Sequence, residues 1–97
     1  MHARVSTYGF DPGRADELVT AFESGIGSIE DEEGMEGAYL LVDRTNGKAL
    51  TMTLWANEEA LTASATAADQ ARSEATESAG GTIESVESYE VALKRIS

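Results

Sequence analysis

A chain of 97 residues predicts one domain that spans residues 1–97. The formal net charge of −11 argues against binding to nucleic acid or to an anionic membrane through a general basic surface. No apolar run approaches the ~18 residues that span a membrane, and the start, "MHARVSTYGF", carries no signal pattern, so we expect a cytoplasmic protein.

The first predicted elements are a strand and a helix. Residues 3–10, "ARVSTYGF", place polar residues between β-branched and aromatic ones, a pattern typical of a strand. "DPG" at 11–13 predicts a turn, because the proline ring presets the backbone angle φ. A helix is predicted from about Arg14 to Asp31, followed by a loop, "EDEEGMEG". Its apolar face consists of Leu18, Phe22, Ile26 and Ile29.

The stretch "AYLLVDRTNGKALTMTLW" predicts a β-hairpin with a two-residue turn at Asn46 and Gly47. That turn pairs Thr45 with Lys48. One face of the hairpin then carries Ala38, Leu40, Val42, Ala49, Thr51, Thr53 and Trp55, and the other carries Tyr39, Leu41, Leu50, Met52 and Leu54. Neither face is polar, although a sheet with one solvated face alternates apolar and polar residues. We therefore expect helices to cover one face and a second subunit to cover the other, without knowing which is which.

A second helix is predicted after Trp55, with Asn57 as its N-cap and two glutamates in its first turn. It runs without interruption to about Ser78, and the glycine pair at 80–81 ends it. Its apolar stripe is almost entirely alanine: Leu61, Ala65, Ala68, Ala71 or Arg72, Ala75 and Ala79. Small residues let a helix approach a sheet closely, or they leave room for a ligand, and the sequence leaves both interpretations open.

The last segment, "TIESVESYEVALKRI", predicts a strand with Tyr89, Val91 and Leu93 on one side and an irregular or exposed first half. The resulting order, β-α-β-β-α-β, is that of an α+β protein with a ferredoxin-like split βαβ fold. Its four-stranded antiparallel sheet carries both helices on one face. Because the other face is also apolar, we expect a homodimer in which the open sheet faces meet.

Three stretches give the chain a family resemblance: "DPGRADELVTAF" after the first strand, "GMEGAYLL" entering the second, and "LTMTLWANEEAL" across the third strand and the next helix. With the order of elements, they resemble the antibiotic-biosynthesis monooxygenase family, whose members form dimeric α+β barrels. The resemblance covers nearly the whole chain. It implies a range of roles, from oxidation of aromatic polyketides without metal or flavin to haem degradation, and therefore implies the fold more firmly than the reaction.

The haem-degrading members use an asparagine in strand one, the tryptophan after strand three and a histidine on the second helix. This chain matches only the tryptophan, as Trp55, and its single histidine is His2. Haem iron needs an axial ligand, so the comparison argues against haem degradation here. With one histidine and no cysteine we predict no metal site and no cofactor.

The cofactor-independent oxygenases of the family use a tryptophan and a nearby asparagine or tyrosine in the pocket, and Trp55 and Asn57 match these in type. We name Trp55, Asn57, Tyr8, Tyr39 and Arg44 as candidate substrate-pocket residues and assign no catalytic residue. Each has a structural alternative. Trp55 and the tyrosines pack and find hydrogen-bond partners in most small domains, Asn57 caps a helix, and Arg44 pairs with a surface acid.

Two functions from different classes follow. The first is a cofactor-independent monooxygenase-like enzyme that acts on a small aromatic molecule or quinol. The alternative is a non-catalytic dimer that binds a small ligand or a protein partner, since no acid, base, nucleophile or metal set is recognisable. Oxygen uptake distinguishes them, because a pure binder is stabilised by its ligand and forms no product.

Overall fold

The computed structural model describes residues 1–96. Its strands are β1 (His2–Gly9), β2 (Met35–Asp43), β3 (Lys48–Trp55) and β4 (Thr82–Glu90), and its helices are α1 (Ala15–Gly27), α2 (Glu58–Ala63) and α3 (Ala65–Ser78). The strands form one antiparallel sheet in the order β2-β3-β1-β4. The predicted α+β, ferredoxin-like β-α-β-β-α-β order is confirmed, with the second helix divided in two.

Helix α1 is shorter than predicted at both ends. A 3-10 turn, Pro12–Arg14, precedes it, and the Asp11 carboxylate accepts a hydrogen bond from the Gly13 N–H at 2.9 Å. The helix ends at Gly27, where the Ser28 hydroxyl donates to the Gly25 carbonyl at 2.7 Å. Two glycines in the last turn lower the helix propensity by up to ~1 kcal/mol each, which favours this early end over the predicted one.

The hairpin between β2 and β3 has a longer turn than predicted. Asp43 pairs with Lys48, so residues 44–47 form a four-residue turn instead of a two-residue one. The Asp43 carboxylate accepts from the Asn46 side-chain amide at 2.8 Å and from two backbone N–H groups, and φ is positive only at Gly47. The predicted turn needs positive φ at both central residues. The register moves by two residues, so the grouping of side chains by face is unchanged.

The helices cover the face of the sheet that carries Trp55. On that face Ala49, Thr51, Thr53 and Trp55 of β3 are buried. The opposite face is open, and Tyr39 and Leu41 of β2 are 53% and 54% exposed there. The structure therefore shows which of the two predicted side-chain sets lies under the helices and which lies on the open face.

The break between α2 and α3 lies at Ser64 and corrects the prediction of one uninterrupted helix. The Leu61 carbonyl accepts a hydrogen bond from the Arg4 guanidinium at 2.6 Å and another from the Ser64 hydroxyl at 2.9 Å. This carbonyl would otherwise accept from residue 65 to continue the helix. The helical phase shifts as a result. Ser64 is buried and Ala65 is exposed, whereas the alanines at 68, 71, 75 and 79 are buried as predicted.

Strand β4 lies at the edge of the sheet next to β1. Its polar first half is exposed, and its register against β1 shifts between the Thr7–Ser85 and Tyr8–Ile83 pairs, so both features predicted for this half are present. The strand ends at Glu90, so of the three residues predicted to share one side only Tyr89 belongs to it. Val91 adds one more hydrogen bond, from its N–H to the Met1 carbonyl at 2.9 Å. Within residues 1–96, no helix is long and apolar enough to cross a membrane.

Candidate functional site

Two apolar clusters fill most of the space between the sheet and the helices. One surrounds Tyr8, Leu18 and Phe22, and the rings of Tyr8 and Phe22 lie 4.6 Å apart between centroids. The other joins Trp55 to Ile29 and to residues of α2 and α3. The region between these clusters is unusually polar for a helix–sheet interface.

A cavity of about 30 Å³ lies in this region, between β1 and β3 on one side and α1 and α3 on the other. Its polar lining consists of Arg4, Ser6, Tyr8, Thr51, Thr53 and Arg72. A buried water needs ~10–15 Å³ on this measure, so the cavity has room for about two. The sheet–helix interface therefore contains a small polar chamber.

Strand alternation brings the hydroxyl and guanidinium groups of this chamber together. Arg4 is paired with Thr53, and Ser6 with Thr51, so these four side chains point from neighbouring strands toward the helices. The hydroxyls of Tyr8 and Thr51 are 2.8 Å apart and form a hydrogen bond. Burial raises the pKa of Tyr8, although its hydrogen bonds and the charge of Arg72 act in the opposite direction. The Tyr8 hydroxyl is therefore neutral at ordinary pH and remains able to donate.

Trp55 lies behind the residues that line the chamber. It is completely buried, and its indole N–H donates to the Thr53 hydroxyl at 3.0 Å. The Arg4 guanidinium lies 5.6 Å from the centroid of its ring, within the range of a cation–π interaction. Trp55 thus packs the interface and also holds two residues, Thr53 and Arg4, that line the cavity.

Two buried arginines give the chamber a positive charge. Arg4 is 6% exposed, and its guanidinium donates to the Leu61 carbonyl and the Ser64 hydroxyl. Burial lowers the pKa of Arg4, and the charge of Arg72 lowers it further. The Arg72 side chain is 10% exposed, and one of its Nη atoms donates to the Asp69 carboxylate at 2.9 Å. Its Nε is buried and meets no acceptor within residues 1–96.

The sequence contained a weak signal for these two residues. Arg4 occupies a position of β1 whose neighbours in the alternation, Ser6 and Tyr8, also face the helices. Arg72 interrupts the alanine stripe of α3. A cation at a position that the period assigns to the interior is the available indication, but nothing local shows that the two cations meet.

The candidate pocket residues named from the sequence lie in different places. Tyr8 lines the cavity, and Trp55 lies directly behind it. Asn57 is the N-cap of α2, where its side chain accepts from the Ala60 N–H at 2.8 Å. Tyr39 is on the open face of the sheet.

Arg44 lies in the hairpin turn and pairs with the Asp16 carboxylate at 2.8 Å, with both side chains more than half exposed. The structure therefore brings two of the five candidates together and places Asn57, Tyr39 and Arg44 away from the cavity. No group of three His, Cys, Asp or Glu side chains suited to a metal ion occurs in the part of the chain that the structure describes.

A second, larger space lies on the outer side of the same helices. It is a groove of about 460 Å³ between α1 and α3, and Gly25 and Ala71 line both the groove and the inner cavity. A Cβ atom at Gly25 would lie 3.4 Å from the Ala71 carbonyl oxygen. Gly25 and Ala71 are thus two small residues that the cavity and the outer groove share.

Comparison with known proteins assigns the family. Residues 1–75 match the sequence model of the family described as antibiotic biosynthesis monooxygenase. The chain belongs to this family. A search of curated proteins found no match to this chain.

Solved structures share the fold. A Deinococcus radiodurans protein assigned to antibiotic biosynthesis monooxygenases is 22% identical, with a TM-score of 0.73 and coverage of 100% of this chain and 97% of that one. SnoaB, a cofactor-independent oxygenase of Streptomyces nogalater, is 12% identical, with a TM-score of 0.74 and coverage of 96% and 94%. MhuD, a haem degrader of Mycobacterium tuberculosis solved with two haems in its active site, is 21% identical, with a TM-score of 0.72 and coverage of 98% and 99%. At these identities the likeness establishes the fold alone.

The residues of this family member do not fit haem. Its single histidine, His2, lies on β1 opposite Trp55 and Glu90, and neither α2 nor α3 contains a histidine. The inner cavity of about 30 Å³ is also far smaller than an interior cavity of ~150 Å³ that binds a single benzene molecule. No part of the function proposed below involves haem.

Proposed function

We propose that the protein is a cofactor-independent monooxygenase that acts on a small aromatic molecule or quinol. The observation that carries this proposal is the polar chamber beside Trp55, in a chain of the antibiotic biosynthesis monooxygenase family. A helix–sheet interface that served packing alone would be apolar, because each buried polar group costs free energy unless it is hydrogen-bonded. Six polar side chains line this chamber, and the buried Nε of Arg72 among them has no acceptor within residues 1–96, which supports a ligand site.

The proposed reaction balances without a cofactor. An aromatic CH₂ group, as in an anthrone, reacts with one O₂ molecule, takes one oxygen atom into a new carbonyl group and releases the other as water. A hydroquinone takes one oxygen atom of O₂ at a ring C–H and becomes a hydroxyquinone, and the other oxygen atom again leaves as water. The neutral hydroxyl of Tyr8, held by Thr51 at 2.8 Å, donates a hydrogen bond to an oxygen atom of the substrate. Trp55 keeps the Thr53 hydroxyl and the Arg4 guanidinium in place from behind.

The substrate has to enter from the outer groove. The inner cavity is too small for an aromatic ring, whereas the groove between α1 and α3 is not. Movement of α1 away from α3 at Gly25 and Ala71, which line both spaces, joins the two. The α1–α3 contact is therefore the proposed entrance.

The test is oxygen uptake with an anthrone and with a hydroquinone, in ¹⁸O₂ and against a buffer blank that corrects for autoxidation. We expect uptake with the wild type, ¹⁸O in the new carbonyl or ring hydroxyl group and loss of turnover in Trp55→Phe. Tyr39→Phe is the matched control on the open face and should retain the wild-type rate. Unchanged turnover in Trp55→Phe would remove that residue from the mechanism, and uptake equal to the blank would contradict the proposal.

The volume of the inner cavity favours the alternative function, a non-catalytic protein that binds a small ligand. Room for about two waters suits a small bound group as well as a reacting one. The same samples distinguish the two functions. A binder shows a higher unfolding temperature in the presence of the ligand and no product, because a ligand that binds only the folded state stabilises it.

We also propose that the protein is a homodimer through the open sheet face. Tyr39, Leu41 and Tyr89 are half exposed on that face, and Leu50, Met52 and Leu54 of the central strand β3 are only partly buried there. Contiguous exposed apolar surface of this kind is typical of an interface. The face is unpartnered in a single chain, and a second copy presents the same apolar surface to it.

A further inference from the structure

We infer that the chamber between Arg4 and Arg72 binds a carboxylate group, and that the substrate is therefore a small aromatic carboxylic acid. The word substrate here rests on the proposed function, whereas the carboxylate site rests on the chamber itself. Net charge makes the site unexpected, since the chain as a whole carries −11. Three properties of the chamber support a carboxylate site: its charge, its hydrogen-bond donors and its size.

No acidic side chain inside the chamber balances its positive charge. Both Arg4 and Arg72 line it, and no Asp or Glu belongs to its lining. The Asp69 carboxylate that pairs with Arg72 is 72% exposed and lies on the outer side of α3. No carboxylate pairs with Arg4 within residues 1–96, and the charge of Arg72 repels that of Arg4, so the burial of Arg4 is costly. A bound anion removes that cost.

The chamber also has hydrogen-bond donors of the required type. The Nε–H of Arg72 is buried and has no acceptor within residues 1–96, while another nitrogen of the same guanidinium is held by Asp69. Guanidinium N–H groups form charge-assisted bonds with carboxylate oxygens and match their planar geometry. The hydroxyls of Ser6, Thr51 and Tyr8 line the same chamber and supply neutral donors.

The size of the chamber selects a small head group. About 30 Å³ holds roughly two water-sized groups, which suits the two oxygen atoms of a carboxylate and excludes a ring. The ring of the acid then lies in the outer groove of about 460 Å³, on the far side of Gly25 and Ala71. The inner chamber thus holds the charged head group of the ligand, and the outer groove holds its aromatic ring.

Sodium formate is the first probe, because it is the smallest carboxylate, and formamide is its uncharged counterpart. In ¹H–¹⁵N spectra at constant ionic strength, we expect formate to shift the Arg72 Nε–H signal to saturation and formamide to leave it unchanged. The signal is assigned in the wild type by through-bond correlation of the Arg72 Nε with the rest of its side chain, and its loss in Arg72→Gln checks the assignment. We expect that variant to raise the formate dissociation constant at least about tenfold, because it removes a charge-assisted donor. Arg44→Gln, which removes an exposed arginine, should bind formate as the wild type does.

An Arg72 Nε–H signal that formate does not move would overturn the inference, and this result needs only the wild type, so it stands even if Arg72→Gln fails to fold. Equal responses to formate and formamide would overturn it as well. Sodium benzoate should displace formate, and failure to do so would contradict the aromatic acid while leaving the carboxylate site in place. None of these readouts uses oxygen, so a failed oxygenase test and a failed carboxylate site are distinguishable.

Discussion

At the scale of single residues, the interior of this protein is unusual because it contains several buried polar side chains. Tyr8 is 1% exposed, and its hydroxyl bonds to that of Thr51, itself 7% exposed. Arg4 satisfies a helix carbonyl while it also lines the cavity. Each of these groups loses hydration on folding, and its hydrogen-bond partner offsets that cost.

Replacing Tyr8 by phenylalanine tests the hydroxyl pair. The ring contact with Phe22 persists, but the Thr51 hydroxyl loses its partner, so we expect the free energy of unfolding at pH 7 to fall by roughly 0.5–1.5 kcal/mol. Urea unfolding followed by the fluorescence of Trp55 measures the change. Tyr39→Phe, on the exposed face, should unfold as the wild type does.

The same variant has a pH signature. Burial raises the pKa of Tyr8 in the folded protein above its ordinary value of about 10, so the folded state keeps the proton longer than the unfolded chain does. The stabilisation is fully present below the unfolded pKa and is lost as the pH rises through the folded pKa. As the pH rises above about 10, the wild type should therefore lose more stability than Tyr8→Phe. Parallel losses in the two proteins would contradict this origin.

At the scale of elements, two irregularities define the site region. The break at Ser64 exists because Arg4 and the Ser64 hydroxyl occupy the Leu61 carbonyl, and it changes which side chains of α3 face the sheet. The four-residue turn after β2 exists because Asp43 binds the backbone of the turn. Hydrogen bonds from the Asn46 side chain and from that backbone hold the pKa of Asp43 below its ordinary value. Both features come from side chains that compete for backbone groups.

The turn offers a matched pair of glycine variants. Gly47 has φ of +65°, and a Cβ there would collide with the Phe10 carbonyl, so Gly47→Ala should lower the unfolding temperature clearly. Gly27 ends α1, and a Cβ there would meet no atom within 4 Å, so Gly27→Ala should raise stability by up to about 1 kcal/mol. Thermal unfolding followed by circular dichroism compares them. A Gly47→Ala protein as stable as the wild type would refute the assigned turn.

At the scale of the whole molecule, the sheet is covered on one side only. The helices bury the Trp55 face, while the Tyr39 face stays open in a single chain. Two copies that each carry −11 repel one another, so the proposed dimer depends on apolar contact and should strengthen as salt screens the charge.

Native mass spectrometry of the wild type should show a dimer, and Leu41→Glu should show a monomer, because the substitution places a charge within the proposed apolar interface. Thr66→Glu adds the same charge to an exposed position of α3 and should leave the dimer intact. A wild-type monomer, or a Leu41→Glu dimer, would contradict association through the open face. A mass retained with the wild-type dimer would in addition identify a ligand.

The sequence by itself determined the order of the elements and the two side-chain sets of the hairpin. Both depend on local periods, and a register error of two residues leaves a period of two unchanged. It also placed Trp55 among the candidates through the family resemblance, and Tyr8 as a source of a pocket hydroxyl.

Only the tertiary structure decided which face lies under the helices, where the second helix breaks, and that Arg4 and Arg72 meet in one chamber. These features depend on contacts between residues far apart in the chain. Leu61 loses its helical hydrogen bond to a side chain of β1, and the two arginines become neighbours only once α3 packs on the sheet. A local sequence pattern does not show a contact between distant residues, so the two positive charges of the site are seen to meet only in the folded structure.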